Sequence, residues 1–223
     1  HYITKLLRMG VIEPSTSPWS SPLMLIRKPG VSANTSEPDL TKIWRVVHDY
    51  RLLNDNTIKD KYPLNTVFSL IDQVASGAIF TLLDVSQGYW QQSLHKDSRD
   101  YTAFSVPSRG HFRYRRCAQG LSNSGPCYQR LLDKVISGIQ GCHVYIDDVI
   151  IVSDNMTDHL ATLQKVFERF RLHGLKLRLS KARFATDTVT FLGYEISSKT
   201  GVRAGEFKTK ALLDCKEPHS VTE

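Results

Sequence analysis

The chain has 223 residues, 41% of them apolar, enough for one large domain or two small subdomains with a real core, which excludes a disordered tail. Lys and Arg number 29 against 22 Asp and Glu, and the resulting charge of +7 permits a polyanionic partner without establishing one. Cys117, Cys127, Cys142 and Cys215 show no Cys-x-x-Cys spacing and no matching His pairs, so neither a zinc site nor a disulfide framework is expected, and a reducing intracellular setting fits best.

Ile3, Leu6 and Leu7 share one helical face within 1–10, with Gly10 as the expected stop. The Ser/Pro-rich stretch that follows contains Pro14, Pro18 and Pro22, which exclude a regular helix. Leu23 to Lys28 and Trp44 to Tyr50 read as strands. Between them, Val31 to Ile43 reads as a loop, and one so long in a compact domain is either functional or disordered. Val67, Leu70, Ile71 and Val74 stand at helical spacing behind Thr66, a cap candidate, and read as core.

Phe80 to Val85 reads as an apolar strand with Asp84 near its end. Tyr101 to Val106 and His111 to Cys117 read as a hairpin through Pro107-Ser108-Arg109-Gly110. Its second strand alternates, Arg113 and Arg115 on one face and Phe112 and Tyr114 on the other, with Arg116 following. The arginines suit either a nucleic-acid backbone or a basic solvent face. A helix starting around Pro126, which a first turn tolerates, turns Tyr128, Leu131, Leu132, Val135 and Ile136 inward.

In His143-Val144-Tyr145-Ile146-Asp147-Asp148-Val149-Ile150-Ile151-Val152, β-branched and aromatic residues flank two acids, the pattern of strand, tight turn and strand. The two carboxylates are therefore expected at a hairpin tip. Asp is also simply a good turn residue. Adjacent strands of one sheet would, however, gather Asp84, Asp147 and Asp148, and such a cluster repels itself unless cations neutralise it. Hard oxygen donors select Mg²⁺ or Mn²⁺, and two such ions about 3.5–4 Å apart suit in-line phosphoryl transfer.

Farther on, Asp158 is a cap candidate for a helix whose core face is Leu160, Leu163, Val166, Phe167 and Phe170, ended by Gly174. Lys176, Arg178, Lys181 and Arg183 form a basic strip whose plain reading is a solvated edge strand. A last helix begins over Glu206 to Asp214 on Phe207, Ala211 and Leu212. No apolar run nears the roughly 18 residues of a membrane-spanning helix, so no membrane partner is expected.

Tyr145-Ile146-Asp147-Asp148 resembles the Tyr-x-Asp-Asp signature of reverse transcriptases, and Phe80 to Tyr89 resembles the motif that carries their first catalytic aspartate. Their order and separation resemble most the Ty3/Gypsy group of LTR retrotransposon polymerases. Ile12 to Pro22, Asp49-Tyr50-Arg51-Leu52-Leu53-Asn54 and Gln119 to Arg130 are similar to further motifs of that group, and Thr190 to Ile196 to its primer-gripping hairpin. The resemblance implies that Asp84, Asp147 and Asp148 are catalytic and hold two Mg²⁺, with Val85 counted among the metal-holding positions. It implies that Lys181 protonates the departing pyrophosphate, that Arg45 meets the nucleotide's phosphates, and that Tyr89 floors the sugar pocket and favours deoxynucleotides. Gln119 would contact the sugar or triphosphate, and Gly120 would let the backbone approach the nucleotide. The chain departs from the group at several points: Ser36-Glu37-Pro38-Asp39 for a Lys-rich turn with Lys42 as substitute, His48 for a small apolar residue, Gln119 for Phe, Ser122 for Lys, and a proline moved to Pro126.

The expected fold is α+β: the fingers and palm of a right-hand polymerase, the palm an antiparallel sheet backed by helices in the RRM/ferredoxin-like manner. Expected boundaries are fingers at 1–60 and 92–123, palm at 61–91 and 124–198, and the start of a thumb at 199–223. The expected function is RNA-directed DNA synthesis on a primed RNA or DNA template from deoxynucleoside triphosphates. Two alternatives stay open: a catalytically decayed nucleic-acid-binding scaffold, and a polymerase that prefers DNA templates. Beginning on His1, the chain is expected to be a piece of a Pol polyprotein with RNase H and integrase parts, set in cytoplasmic virus-like particles by analogy with the group.

Overall fold

The computed structural model describes residues 2–31 and 40–205, and the chain divides into two compact units, His1–Tyr62 with Gln87–Arg130 and Pro63–Ser86 with Leu131–Glu223. Elements are numbered along the chain. Ser36 to Asp39, Cys215 and the helix expected over Glu206 to Asp214 lie outside the described residues.

The first unit opens with α1 (Tyr2–Arg8), which buries Leu6 and stops at Gly10, whose φ of 65° an L side chain rarely adopts. The chain then runs extended into β1 (Ile12–Pro14), paired antiparallel with β6 (Gly110–Tyr114), while β5 (Phe104–Val106) takes the other edge of β6. Leu6, Val11, Ile12, Tyr50, Phe104, Phe112, Tyr114 and Ala118 form the core of this unit. A separate two-stranded ribbon joins β2 (Leu23–Arg27) to β3 (Trp44–His48). The expected loop before β3 contains α2 (Leu40–Ile43). β3 ends at His48, two residues short of expectation, because the Asp49 carboxylate takes the backbone N–H of Arg51 at 3.1 Å and starts α3 (Arg51–Asp55).

The arginine face of β6 is occupied from within. Glu13 stands opposite Arg113 in the β1–β6 register, with Arg113 Nε at 2.8 Å, Arg99 Nη1 at 3.5 Å and Arg115 Nε at 3.5 Å from its carboxylate. Arg113 Nη1 also reaches Asp100 at 2.5 Å. Arg113 thus spends its charge on a cross-strand ion cluster.

In the second unit, β4 (Ile79–Asp84), β7 (Cys142–Tyr145), β8 (Asp148–Ser153) and β9 (Arg183–Thr186) form one antiparallel sheet in the order β7-β8-β4-β9. Taken with α6 (Ser124–Ile136) between β4 and β7, and α7 (Met156–Leu172) between β8 and β9, this is the β-α-β-β-α-β order of a ferredoxin-like fold. The first crossover is lengthened by the excursion through the first unit, which includes α5 (Gly88–Gln91). Thr81 on one face of β4 meets His159 of α7. On the other face Phe80 packs with Leu70, Ile71 and Val74 of α4 (Val67–Val74) and with Val189, Phe191 and Ile196 of β10 (Thr188–Phe191) and β11 (Tyr194–Ser197). Thr66 caps α4 by accepting the Ser69 N–H, as its position predicts. β12 (Gly201–Ala204) extends the β10–β11 hairpin, a strand the sequence pattern did not show.

Two expectations for α7 are corrected. Asn155, not Asp158, is its cap: Asn155 Oδ1 accepts the Asp158 N–H at 3.0 Å and its Nδ2 donates to the Asp158 carboxylate at 2.7 Å, a reciprocal pair. Leu160 and Phe167 stay exposed, while His159, Val166 and Phe170 are buried. Val166 and Phe170 hold the expected core positions, while His159, with the hydroxyls of Thr81 and Ser153 beside it, is buried in place of the expected Leu160. Gly174 does end the helix, with the Leu175 N–H on the Phe170 carbonyl and the Gly174 N–H on that of Arg171.

Candidate active site

β4 and β8 are neighbours in register, and that register sets Asp84 directly opposite Asp148. The β7–β8 hairpin turns through two residues, Ile146 and Asp147, between the paired Tyr145 and Asp148. Asp147 therefore sits in the turn and Asp148 opens the second strand, a refinement of the expected shared tip. Ile146 holds a φ of 53°, a costly conformation for a β-branched residue and one found where function fixes the backbone. The Val85 N–H donates to the Asp147 carbonyl at 3.0 Å, tying the turn to the end of β4. Three carboxylates and Val85 thus share one end of the sheet.

Electrostatics mark the cluster as incomplete. Burial, then the charges of Asp148 and Asp84, push the Asp147 carboxyl above its ordinary pKa. Burial and Asp84 do the same to Asp148, with Lys181 opposing. Asp147 Oδ1 is buried without a hydrogen-bond partner. Buried, mutually repelling oxygens with an unused lone pair are what a hard cation stabilises. Among the described residues no three Asp, Glu, His or Cys side chains close into a ready cage. Mg²⁺ keeps waters and binds through one or two carboxylates plus substrate phosphates rather than in an all-protein cage. The donor set fits such an ion.

Of the basic strip, only Arg183 lies in an exposed edge strand, β9; the residues before it do not form the solvated strand that the spacing suggests. The Lys176 carbonyl accepts the Ser86 N–H, Leu177 bridges Val85, and the Arg178 N–H donates to the Asp84 carbonyl at 2.9 Å, so this segment lines the end of β4. A short 3₁₀ turn over Leu179–Lys181 then brings Lys181 Nζ to 3.6 Å from the Asp84 carboxylate, with Arg178 Nε at 3.7 Å on its other oxygen. Lys181 thus lies beside the acid cluster. Arg178 was read only as part of the strip.

The remaining predicted residues lie in the first unit. Arg45 is exposed on β3, across from Ile26. Tyr89, half-buried in α5, packs its ring 5.6 Å from that of Tyr128. Gln119 and Gly120 are exposed in the loop before α6, and with Val46, Val47 and His48 they line a cavity of about 100 Å³. Gly120 has a φ of 94°, so any side chain there is strained even though a Cβ would find ordinary contacts. Sequence reasoning missed Asn54, whose side-chain amide donates to the Gly120 carbonyl and accepts the Ser122 N–H, each at 2.8 Å. It also missed His159. Only the motif position of Asn54 hinted at a role.

Residues 26–196 match the family described as reverse transcriptase (RNA-dependent DNA polymerase). The Pol polyprotein of transposon gypsy from Drosophila melanogaster is 35% identical over 221 residues, covering 98% of this chain and 21% of the polyprotein. That of transposon 297 from the same organism is 33% identical over 219 residues, covering 97% and 20%. The chain thus spans about a fifth of the length of these relatives. Among solved structures, the foamy viral protease-reverse transcriptase in complex with double-stranded DNA matches with a TM-score of 0.86 at 25% identity, over 99% of this chain and 37% of that one. The same viral protein in complex with an RNA/DNA hybrid matches with a TM-score of 0.83 at 26% identity, over 97% and 27%. The antiparallel acid-bearing sheet, the match over most of the chain and these relatives agree: the chain belongs to the reverse transcriptase family.

Proposed function

We propose that the chain is the fingers and palm of an RNA-directed DNA polymerase, the first unit serving as fingers and the second as palm, that extends a primer 3′-hydroxyl with deoxynucleotides. The observation that carries this reading is the registered Asp84–Asp148 pair beside Asp147 Oδ1, with the carboxyls of Asp147 and Asp148 raised by burial and neighbouring charge. With two Mg²⁺ held by Asp84, Asp147, Asp148 and Val85, the ions would supply an acidified primer hydroxyl and neutralised triphosphate oxygens. The chain's own residues do the positioning. Lys181, beside Asp84, holds a proton at Nζ for the departing pyrophosphate. Arg45 offers a bidentate donor to nucleotide phosphates, and the Gln119–Gly120 loop offers backbone and amide contacts. Tyr89 lies against Tyr128 as a fixed aromatic wall for the sugar. That a foamy viral relative was captured with both double-stranded DNA and an RNA/DNA hybrid supports a primed duplex as the partner.

The test is primer extension on an RNA template with Mg²⁺ and deoxynucleotides in the full-length protein, beside Asp148→Asn. Extension by the wild type and none by the variant, with duplex binding retained in both, is the expected result. A wild-type protein that grips the primed template and adds nothing overturns the enzyme reading in favour of a nucleic-acid-binding scaffold.

A further inference from the structure

Two asparagines far apart in sequence stitch the same pair of segments together. Asn54, in α3, donates Nδ2–H to the Gly120 carbonyl and accepts the Ser122 N–H at Oδ1, both at 2.8 Å. Asn123, in the loop itself, answers in the opposite direction: its Oδ1 accepts the Asp60 N–H at 3.0 Å and its Nδ2 donates to the Ile58 carbonyl at 2.9 Å. Each amide thus uses one donor and one acceptor on the backbone of the other segment, and the two orientations are fixed by their partners. At the start of the loop, the Ser124 hydroxyl donates to the Ala118 carbonyl at 2.8 Å. Every one of these bonds faces the 54–60 segment or the base of α6, while the Gln119 side chain remains exposed.

We propose that Asn54 and Asn123 act as a reciprocal amide clamp that holds the Gln119–Gly120 loop in its nucleotide-binding conformation, which makes Asn54 a positioning residue. The inference rests on the reading of that loop as part of a nucleotide pocket. Gly120 at a φ of 94° has many alternatives open to it, so the loop needs outside bonds to stay in one of them. Asn54 supplies them on both sides of Leu121, across the bend. The clamp itself touches no substrate. Its effect is on how much nucleotide is needed, not on the chemical step.

The experiment compares wild type, Gln119→Ala, Asn54→Ala and Asn54→Asp in the full-length protein, by steady-state primer extension and by amide hydrogen exchange. Asn54→Ala is expected to raise KM for the deoxynucleotide about tenfold, to leave kcat within about threefold, and to leave primer–template affinity unchanged. Exchange at the Ser122 amide accelerates with it. Asn54→Asp keeps the shape but turns an acceptor toward the Gly120 carbonyl, and raises KM at least as much; should Asn54→Ala fail to fold, this variant carries the comparison. If Gln119→Ala raises KM while the Asn54 variants do not, the clamp is overturned and the pocket stands. If Gln119→Ala leaves KM unchanged, the pocket reading falls and the clamp with it. A fall in kcat alone assigns Asn54 to fold maintenance and overturns its positioning role.

Discussion

Asp84 and Asp148 face each other across the two central strands of the second unit, and the backbone of Asp147 is tied beside them through the Val85 N–H. Burial and neighbouring carboxylates raise the folded-state pKa of Asp147 and Asp148 above the unfolded value, so both keep their protons to higher pH than the unfolded chain does. Without a divalent ion, their contribution to stability is therefore present at low pH and lost as pH rises from the unfolded range through the raised folded values. Mg²⁺ reverses the loss by stabilising the ionised forms. At pH 7, Mg²⁺ at ten times its dissociation constant should raise Tm by about 4 °C. Asp148→Asn should abolish most of that shift, raise the metal-free Tm, and lower kcat about a thousandfold or more. Thermal unfolding with and without Mg²⁺, at pH 5 and pH 7, reads the first two; a Mg²⁺ shift unchanged in the variant would sink the metal assignment.

Lys181 stands 3.6 Å from Asp84, close enough for either of two roles, proton donor or simple counter-charge. A donor acts only as the bond breaks, so Lys181→Ala should lower kcat about 100-fold and hardly change KM. Lys181→Arg separates the roles, because arginine keeps the charge but holds its proton too tightly to give it up. Continued loss in Lys181→Arg supports the donor. Full rescue would leave only the counter-charge.

Glu13 holds Arg99, Arg113 and Arg115, and Arg113 and Arg99 keep only 31% and 16% of their side-chain surface exposed. Removing its charge strands partly buried guanidinium groups. Glu13→Gln is expected to cost about 1–3 kcal/mol in urea unfolding. Arg113→Ala should lose stability to a similar degree while duplex affinity and its salt dependence stay near wild type, since a phosphate-binding arginine would change both. A large drop in duplex affinity at unchanged stability would return Arg113 to the nucleic-acid face.

These cases show where the sequence was legible. Acid-bearing strands, the Thr66 cap and the Gly174 stop depend on a few neighbouring residues, and each stands where local pattern puts it. The α7 cap was misplaced by three residues because Asn155 and Asp158 are both good cap residues, and only the reciprocal side-chain pair decides between them. The Arg113 cluster, the Asn54 clamp and the buried His159 each depend on at least one partner more than fifty residues away, on another element. Alternation shows which face a residue is on, not what waits opposite. Leu160 and Phe167 misled for the related reason that apolar side chains also populate surfaces, whereas a histidine with two hydroxyl neighbours can be fully buried.

His48 gives the sharpest pH dependence. Its ring is enclosed by Tyr50, Phe104 and Tyr114 at centroid distances of 5.4, 4.5 and 5.4 Å, with Nε2 at 2.9 Å from the Tyr114 hydroxyl. Burial lowers its pKa to about 4. As pH falls below the unfolded value near 6.5, the unfolded chain takes the proton first, so stability is full above about 6.5 and drains away down to about 4. The loss assigned to His48 alone is on the order of 2 kcal/mol after allowance for its partial exposure. Burial lowers the pKa of His159 and His143 as well, so part of the slope remains without His48. His48→Val should flatten most of the decline between pH 6.5 and 4 while leaving Tm at pH 8 within a few degrees, because an apolar side chain suits that aromatic enclosure. Urea unfolding across this range in both proteins measures the difference directly. An unchanged slope would mean that the ring gains its proton without cost in the fold, and that the aromatic enclosure does not exclude charge.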